Sequence, residues 1–423
     1  MVKPAHISRS AALHGERAEK SLIIDGARVA MGPETAVKAR VEIGHGRIRR
    51  ISPSRVPGHR EASSRRELRL DLSGWLLLPG LINAHDHLEL NLFPRLGRGP
   101  FQNYREWAEA VYHPDLSPVR DHLRVPKDAR IWWGAIKNLL SGVTTVCHHN
   151  PPIPRPLIAE LPIRVLRQYG WAHSPAYGGD VSEAFRATPP GAPFIIHLAE
   201  GTDDICRQEI FELERMGALS SNTVIIHGVG LDAHGHRLLD RAGAALVWCP
   251  TSNVFTLGRT LGRDDVLRHR RVAIGSDSAM TAAGDLLDEV RFACHESGLG
   301  APETYRMVTT ASVDVLRLPQ EFGQLAEGSV ADLIAVRDLR LSPCETLVGL
   351  ASDRVELVMI GGAPTVMSPA LADRWPAKNL DGFEPLRAGP VERLVKAPIS
   401  RLLREATKYL GASIALSGRR LSA

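Results

Sequence analysis

The chain has 423 residues, of which 44% are apolar and 23% are charged, so it can bury one large core and a smaller one. The formal net charge of +5 is modest, and no basic stripe with interleaved aromatic residues indicates a nucleic-acid partner. The five cysteines are widely spaced and odd in number, which argues against a disulfide framework and favours a reducing, cytoplasmic location. The N-terminus lacks the apolar core of a signal peptide, and no run approaches the roughly 20 apolar residues of a membrane span.

Residues 1–20 are polar and basic and are predicted to form an N-terminal arm. In residues 21–78, short β-rich runs are separated by Gly, Pro and charged turns, which is typical of a small antiparallel sheet. β-rich sequence returns in residues 321–368, so we expect both segments to form one composite β-sandwich domain. The segment 79–320 would then be inserted into that domain.

Residues 79–320 alternate between apolar strand candidates and helical stretches, which predicts βα units around a parallel sheet. Polar residues follow several of the strands, as they do at the active-site face of a TIM-type (β/α) barrel. The sequence therefore predicts the α/β class, with a TIM-like barrel as the larger domain.

The first strand of this region ends in His85-Asp86-His87, within LLLPGLINAHDHL. Residues two apart in a strand point the same way, so both imidazoles would project together and could begin a metal site. A histidine-rich turn is the alternative. Later strand ends supply further candidates, namely His148, His149, His197, Glu200, His227 and Asp277.

A hydrolytic metal site needs a few nitrogen or oxygen ligands and one open position for water, which the metal would activate near neutral pH. His85, His87, His197 and Asp277 can provide the ligands. Glu200, three residues after His197, is placed to shuttle protons. His227 could polarise the bond under attack or stabilise a developing oxyanion.

These motifs resemble the amidohydrolase superfamily, and within it the branch of chlorohydrolases and cytosine, guanine and S-adenosylhomocysteine deaminases. The resemblance covers residues 21–366. Its motifs are PGLINAHDH, HLAEG, IIHGVGLD, VWCPTSNVF, AIGSDSA and GQLAEGSVADLIAVRD.

The resemblance implies one divalent metal bound by His85, His87, His197 and Asp277, with zinc favoured and iron also accepted. It implies that Glu200 is the proton shuttle, that His227 contacts the activated water or the substrate, and that Asp277 also accepts a proton. The expected reaction is hydrolytic deamination of a small, heterocyclic nitrogen compound. The same site could instead cleave a cyclic amide or displace halide.

Two features bear on the metal count and the barrel. No lysine occurs between Lys137 and Lys378, so the carboxylated lysine that bridges two metals in related hydrolases has no counterpart. The family usually places two strands between VTTVCHHN and PFIIHLAEG, but only IRVLRQYGW is a clear candidate here. We therefore expect one metal ion and a barrel that is irregular at strands 3–4.

Substrate contacts are expected from His148, His149 and Asn253, and specificity from the long loop between Leu88 and Pro118. For the two histidines, the functional interpretation is a substrate contact or a hydrogen bond to a metal ligand, and a simple polar strand end is an equal alternative. A small-molecule substrate and a homo-oligomer are expected. The alternative to an enzyme is a catalytically inactive relative that acts as a binding or scaffold protein.

The C-terminal extension, residues 369–423, is basic and contains one amphipathic stripe. Its apolar members are Ile399, Leu402, Leu403, Ala406 and Leu410, which share one helix face. A helix docked on its own barrel is the favoured interpretation, and weak contact with a membrane surface is the alternative.

Overall fold

The computed structural model describes residues 21–54, 67–376, 379–412 and 414–422. The predicted N-terminal arm, residues 1–20, lies outside the described residues. Within the described ranges, no helix is long and apolar enough to cross a membrane.

The strands fall into three groups along the chain. The first group is β1 Ser21–Asp25, β2 Arg28–Ala30, β3 Ala36–Gly44, β4 Arg47–Pro53, β5 Glu67–Asp71 and β6 Trp75–Pro79. The second is β7 Leu81–Asp86, β8 Val143–His148, β9 Arg164–Val165, β10 Gly170–Ala172, β11 Phe194–Leu198, β12 Thr223–His227, β13 Ala245–Trp248 and β14 Val272–Ile274. The third is β15 Leu333–Arg337, β16 Val355–Ile360, β17 Ala363–Met367, β18 Glu384–Ala388, β19 Val391–Val395, β20 Ala415–Leu416 and β21 Arg419–Ser422.

The helices lie mainly between the strands of the second group. Before β11 they are α1 Tyr104–Val111, α2 Val119–Arg124, α3 Lys127–Leu140, α4 Arg155–Glu160 and α5 Val181–Arg186. From β11 to β15 they are α6 Asp204–Arg215, α7 Ala233–Ala242, α8 Pro250–Leu257, α9 Arg263–Arg268, α10 Leu286–His295, α11 Ala301–Met307 and α12 Thr310–Val315. The last three are α13 Pro343–Val348, α14 Pro369–Ala372 and α15 Ile399–Leu410.

A sheet of 13 strands draws on both ends of the described chain. Strand β6 pairs with β15, with Pro79 opposite Leu333. Its run WLLLP is buried throughout because alternate side chains enter two different cores. Leu76 and Leu78 pack into the cluster that contains α3, whereas Trp75 and Leu77 pack into the cluster of the β-rich segments.

The sheet also contains β18 to β21, which lie beyond residue 369 and were not predicted from the sequence. They join it where β19 pairs antiparallel with β17. The predicted domain boundaries, after residues 78, 320 and 368, stay a prediction.

Strands β7 to β14 are parallel and follow one another in chain order, in a sheet of three and a sheet of five. The residues that follow the last parallel strand, β14, contact the carboxyl end of the first, β7. There the Ser276 amide donates to the His85 carbonyl at 2.9 Å, and Asp86 and Asp277 form a parallel bridge. This contact brings the two chain-distant motifs to one place.

The stretch IRVLRQYGW forms two short strands, β9 and β10, where the sequence indicated a single one. Strand β9 pairs with β8 and β10 pairs with β11, but the two lie in different sheets. Only residues 166–169 connect them, and these residues contain no helix. A crossover connection through a helix needs about a dozen residues, so the βα unit that begins with β9 has no helix before β10.

Helix α15 lies against α2 and α3. Ile399, Leu402 and Ala406 are buried in the main core, and Leu403 and Leu410 pack against it. The apolar stripe is therefore covered by the protein's own helices.

Candidate metal centre and cavity

Four side chains from three strand ends converge at the carboxyl end of the parallel strands. The His197 Nε2 atom lies 3.3 Å from the Nε2 atoms of both His85 and His87. The Asp277 Oδ1 atom lies 3.5 Å from the same two nitrogens. Ligands of a zinc ion bound tetrahedrally at about 2.05 Å stand about 3.3 Å apart, so this spacing fits a divalent metal.

The charge states also suit a cation. Burial lowers the pKa of His85 to about 4, and it lowers that of His197 well below its usual value. Both imidazoles are therefore neutral and can offer a lone pair near pH 7. Burial opposes ionisation of Asp277, but its hydrogen bond and charge interactions with the histidines hold its pKa well below the ordinary value.

Glu200 and His227 lie beside the four converging groups. The Glu200 Oε2 atom is 3.5 Å from the His227 Nε2 atom. Burial, followed by the negative charges of Asp277 and Glu209, raises the pKa of Glu200 well above its usual value. The His227 Nδ1–H donates to the Asn253 side-chain oxygen at 2.7 Å, which leaves Nε2 facing Glu200.

The backbone is strained at three of these strand ends. Ala199, His227 and Asp277 have φ angles of 54°, 76° and 51°, in the region that L-residues rarely adopt. Such conformations persist where the surrounding contacts over-determine them, and they cluster at functional sites. Each lies at or next to a residue that faces the centre.

The three residues predicted to contact substrate lie behind the centre. His149 is buried, stacks on His197 with ring centroids 4.1 Å apart, and its Nε2 bonds the Ala172 carbonyl at 3.0 Å. His148 accepts from the Leu88 amide through Nδ1 and lies near Glu89. Asn253 is buried behind His227. Their contacts in the structure are with other protein groups, so a role in binding substrate stays a prediction for all three.

A cavity of about 650 Å³ opens above the centre. Helix α1 and the residue that follows it provide one wall, through Tyr104, Trp107 and Tyr112, and His173 and Tyr177 also line the space. The charged lining residues are Glu89, Glu109, Lys127, Arg130, Glu200 and Asp277. The predicted specificity loop, between Leu88 and Pro118, thus supplies much of the wall.

The profile of the amidohydrolase family matches residues 181–365, which include the strand ends at His197, His227 and Asp277. Among curated proteins, a 5-methylthioadenosine/S-adenosylhomocysteine deaminase of Pyrococcus furiosus is 26% identical, over 74% of this chain and 86% of that protein. Together these matches support the amidohydrolase superfamily for this chain. An 8-oxoguanine deaminase of Pseudomonas aeruginosa is also 26% identical, over 71% of this chain and 84% of that enzyme.

Solved structures show the same fold. A triazine hydrolase variant aligns with a TM-score of 0.72 at 20% identity, over 92% of this chain and 99% of the triazine hydrolase chain. A mutant of atrazine chlorohydrolase TrzN from Arthrobacter aurescens, complexed with zinc and atraton, aligns with a TM-score of 0.69 at 19% identity and the same coverage. The larger unit is therefore TIM-barrel-like, of the α/β class.

Several residues that hold the centre in place were not predicted from the sequence. Ser252 and Thr281 donate hydroxyl groups to Asp277 Oδ2 at 2.6 and 3.0 Å, which leaves Oδ1 facing the histidines. Glu289 accepts from the amide and hydroxyl of Thr251. The Cys-Pro-x-Ser-Asn motif was the available signal, because it contains Thr251, Ser252 and Asn253.

Gly275 should be essential to the centre because its backbone lies against His85. A Cβ atom at Gly275 would stand 2.6 Å from the His85 Cβ and 2.9 Å from its backbone nitrogen, closer than real contacts. We expect Gly275→Ala to destabilise the fold by about 1–3 kcal/mol and to weaken zinc retention about tenfold or more. Chelator competition and urea denaturation measure both. Gly32→Ala is the control, since nothing lies within 4 Å of its added Cβ, and equal behaviour of the two variants would contradict the prediction.

Proposed function

We propose that this protein is a metal-dependent aminohydrolase that releases ammonia from a small, heterocyclic nitrogen compound. The observation that carries the proposal is the convergence of His85, His87, His197 and Asp277 beside Glu200, at the floor of the cavity. Relatives named as deaminases support a hydrolase that acts on carbon–nitrogen bonds.

The four converging groups would hold one divalent metal, for which we propose zinc. Three imidazoles and one carboxylate are a donor set that zinc accepts, and iron accepts it too. When bound, the metal supplies a Lewis acid and activates water near neutral pH. Ser252 and Thr281 orient the Asp277 carboxylate through Oδ2, so that Oδ1 stays available to the centre.

Glu200 would move the protons. Burial and the charges of Asp277 and Glu209 raise its pKa well above the usual value, which favours the protonated form that can donate a proton to a ring nitrogen or to a leaving amine. As an anion it can take the proton back from the attacking water. His227, whose tautomer is fixed by Asn253, faces both Glu200 and the cavity and would contact the reacting carbon's substituents.

An ammonia-release assay on metal-analysed protein tests the proposal, with purines, pyrimidines, pterins and triazines as the panel. We expect ammonia from at least one compound and about one equivalent of zinc per chain. Turnover without ammonia would favour displacement of another leaving group, such as halide. Full zinc loading without any turnover across the panel would favour the non-catalytic binding protein.

His197→Ala should lose both metal and activity. The His197 Nε2 atom lies 3.3 Å from the Nε2 atoms of both His85 and His87, so its removal takes away the group that stands next to both of these candidate ligands. Loss of a metal ligand should lower zinc affinity by at least about 100-fold, more than loss of a supporting group. His234→Ala, at the exposed start of α7, is the control. A His197→Ala protein that kept stoichiometric zinc and full turnover would refute this ligand set.

A further inference from the structure

The turn that carries Glu200 is bonded directly to the segment that begins the cavity wall. The Tyr104 amide donates to the Glu200 carbonyl at 3.1 Å, and the Thr202 amide donates to the Gln102 carbonyl at 2.7 Å. Asn103 and Gly201 form an antiparallel bridge between these two bonds. The wall segment, residues 102–104, and the shuttle turn, residues 199–202, therefore form one small antiparallel pair.

A single buried carboxylate spans both partners of this pair. Glu209, on α6, is 1% exposed. One of its oxygens accepts the Ala199 amide at 2.7 Å, and the other accepts the Tyr104 hydroxyl at 3.0 Å. Ala199 is the left-handed residue between the strand of His197 and Glu200. The carboxylate thus holds the strained turn from one side and the cavity wall from the other.

We propose that Glu209 is a positioning residue that fixes the Glu200 turn and helix α1 relative to each other. It lies outside the cavity lining and bonds none of the candidate metal ligands, so it would act by holding Ala199 and Tyr104 in place. Its charge also raises the pKa of Glu200, and Arg105 lies 4.0 Å from it. The consequence for catalysis rests on the proposed function, because it assumes that Glu200 handles protons and that α1 contacts substrate.

The two contacts should have separable effects. The bond to Ala199 sets the direction of Glu200, so its loss should lower kcat. The bond to Tyr104 anchors α1, which lines the cavity through Tyr104 and Trp107, so its loss should raise KM. A residue with a purely structural role would change stability without this division.

Hydrogen–deuterium exchange on the zinc-loaded protein tests, without any substrate, whether Glu209 holds the two segments in place. In Glu209→Ala we expect peptides that cover 102–106 and 199–202 to exchange about 10- to 100-fold faster, as the loss of buried hydrogen bonds predicts. In Tyr104→Phe only the 102–106 peptide should speed up. The control is Glu212→Ala, on the exposed side of the same helix, which should leave both peptides unchanged. Native exchange of the 199–202 peptide in a folded Glu209→Ala protein would overturn the proposal.

Kinetics with the most active compound of the ammonia panel supply the second readout. We expect Glu209→Ala to lose about 10- to 100-fold in kcat with zinc content unchanged, and Tyr104→Phe to raise KM about 3- to 10-fold at nearly native kcat. Glu209→Gln keeps one acceptor oxygen and should recover part of kcat. If the Glu209→Ala protein does not fold, the Glu209→Gln and Tyr104→Phe variants carry the test. Native kcat and KM in every variant that folds would refute the proposal. If no compound is turned over, the exchange result still tests whether Glu209 holds the two segments together. The positioning role of Glu209 can therefore fail separately from the proposed function.

Discussion

Glu200→Gln is expected to reduce kcat on the order of 10³-fold while the protein keeps its metal. The substitution preserves shape but removes the group that can take up and release a proton. Glu200 lies beside the four converging groups, and its Oε2 atom is 3.5 Å from the His227 Nε2 atom. Burial and the nearby Asp277 and Glu209 charges raise its pKa, so the protein environment favours the neutral form that the amide resembles in charge.

Zinc content and KM separate this role from a structural one. Both should stay within about twofold of native, because a proton shuttle that is no metal ligand contributes mainly to the transition state. Glu214→Gln, which alters an exposed residue of α6, is the matched control. A Glu200→Gln variant with native kcat would rule out the proton-shuttle role, and one that lost zinc in parallel with activity would make Glu200 a ligand.

The local sequence was sufficient to predict the residues of the centre. His85, His87, His197 and Asp277 each follow an apolar strand, and parallel strands bring their carboxyl ends to one face. Because successive side chains of a strand point to opposite sides, Asp86 is also expected to point away from its neighbouring histidines. The structure confirms it, since Asp86 bonds Asn138 of α3 at 2.9 Å.

Long-range packing determines the features of the site and the sheet that the sequence did not predict. His148 and His149 follow a strand like the other candidates, but the rings of His85 and His197 stand in front of His149. Asn253 was expected in the cavity, yet the left-handed backbone of His227 brings its imidazole onto the Asn253 amide. The short strands β9 and β10 depend on separate partners, which a continuous apolar run does not distinguish.

Beneath the candidate ligands lies a buried polar network that the sequence also did not predict. Asp86 is 0% exposed and accepts hydrogen bonds from Asn83, Asn138 and Ser276 on one oxygen and from Asn91 on the other. Lys137 is 2% exposed, and its ammonium group lies 3.7 Å from Asp86 and donates to Asn91 at 2.8 Å. Lys137 is the only cation that the described ion pairs give to Asp86.

Lys137→Met should therefore destabilise the protein by about 3–5 kcal/mol, the loss found when one partner of a buried ion pair is removed. The methionine fills most of the space, but Asp86 then keeps a buried charge with only neutral donors around it. Because Asp86 lies between His85 and His87, its displacement should also weaken zinc retention. Urea denaturation of the zinc-loaded and zinc-free proteins measures the two effects.

A double-mutant cycle isolates the charge pair from the packing change. Asp86→Asn removes the buried charge, so Lys137→Met combined with Asp86→Asn should be less destabilised than the sum of the single variants, by about 1–3 kcal/mol. Lys38→Met, at an exposed position of β3, controls for the loss of a lysine and should stay within about 0.5 kcal/mol of native. Additive losses in the cycle would show that Lys137 acts through its bond to Asn91 and its packing alone. The lysine would then support the position of the loop after His87, but it would not neutralise the charge beneath the two histidines.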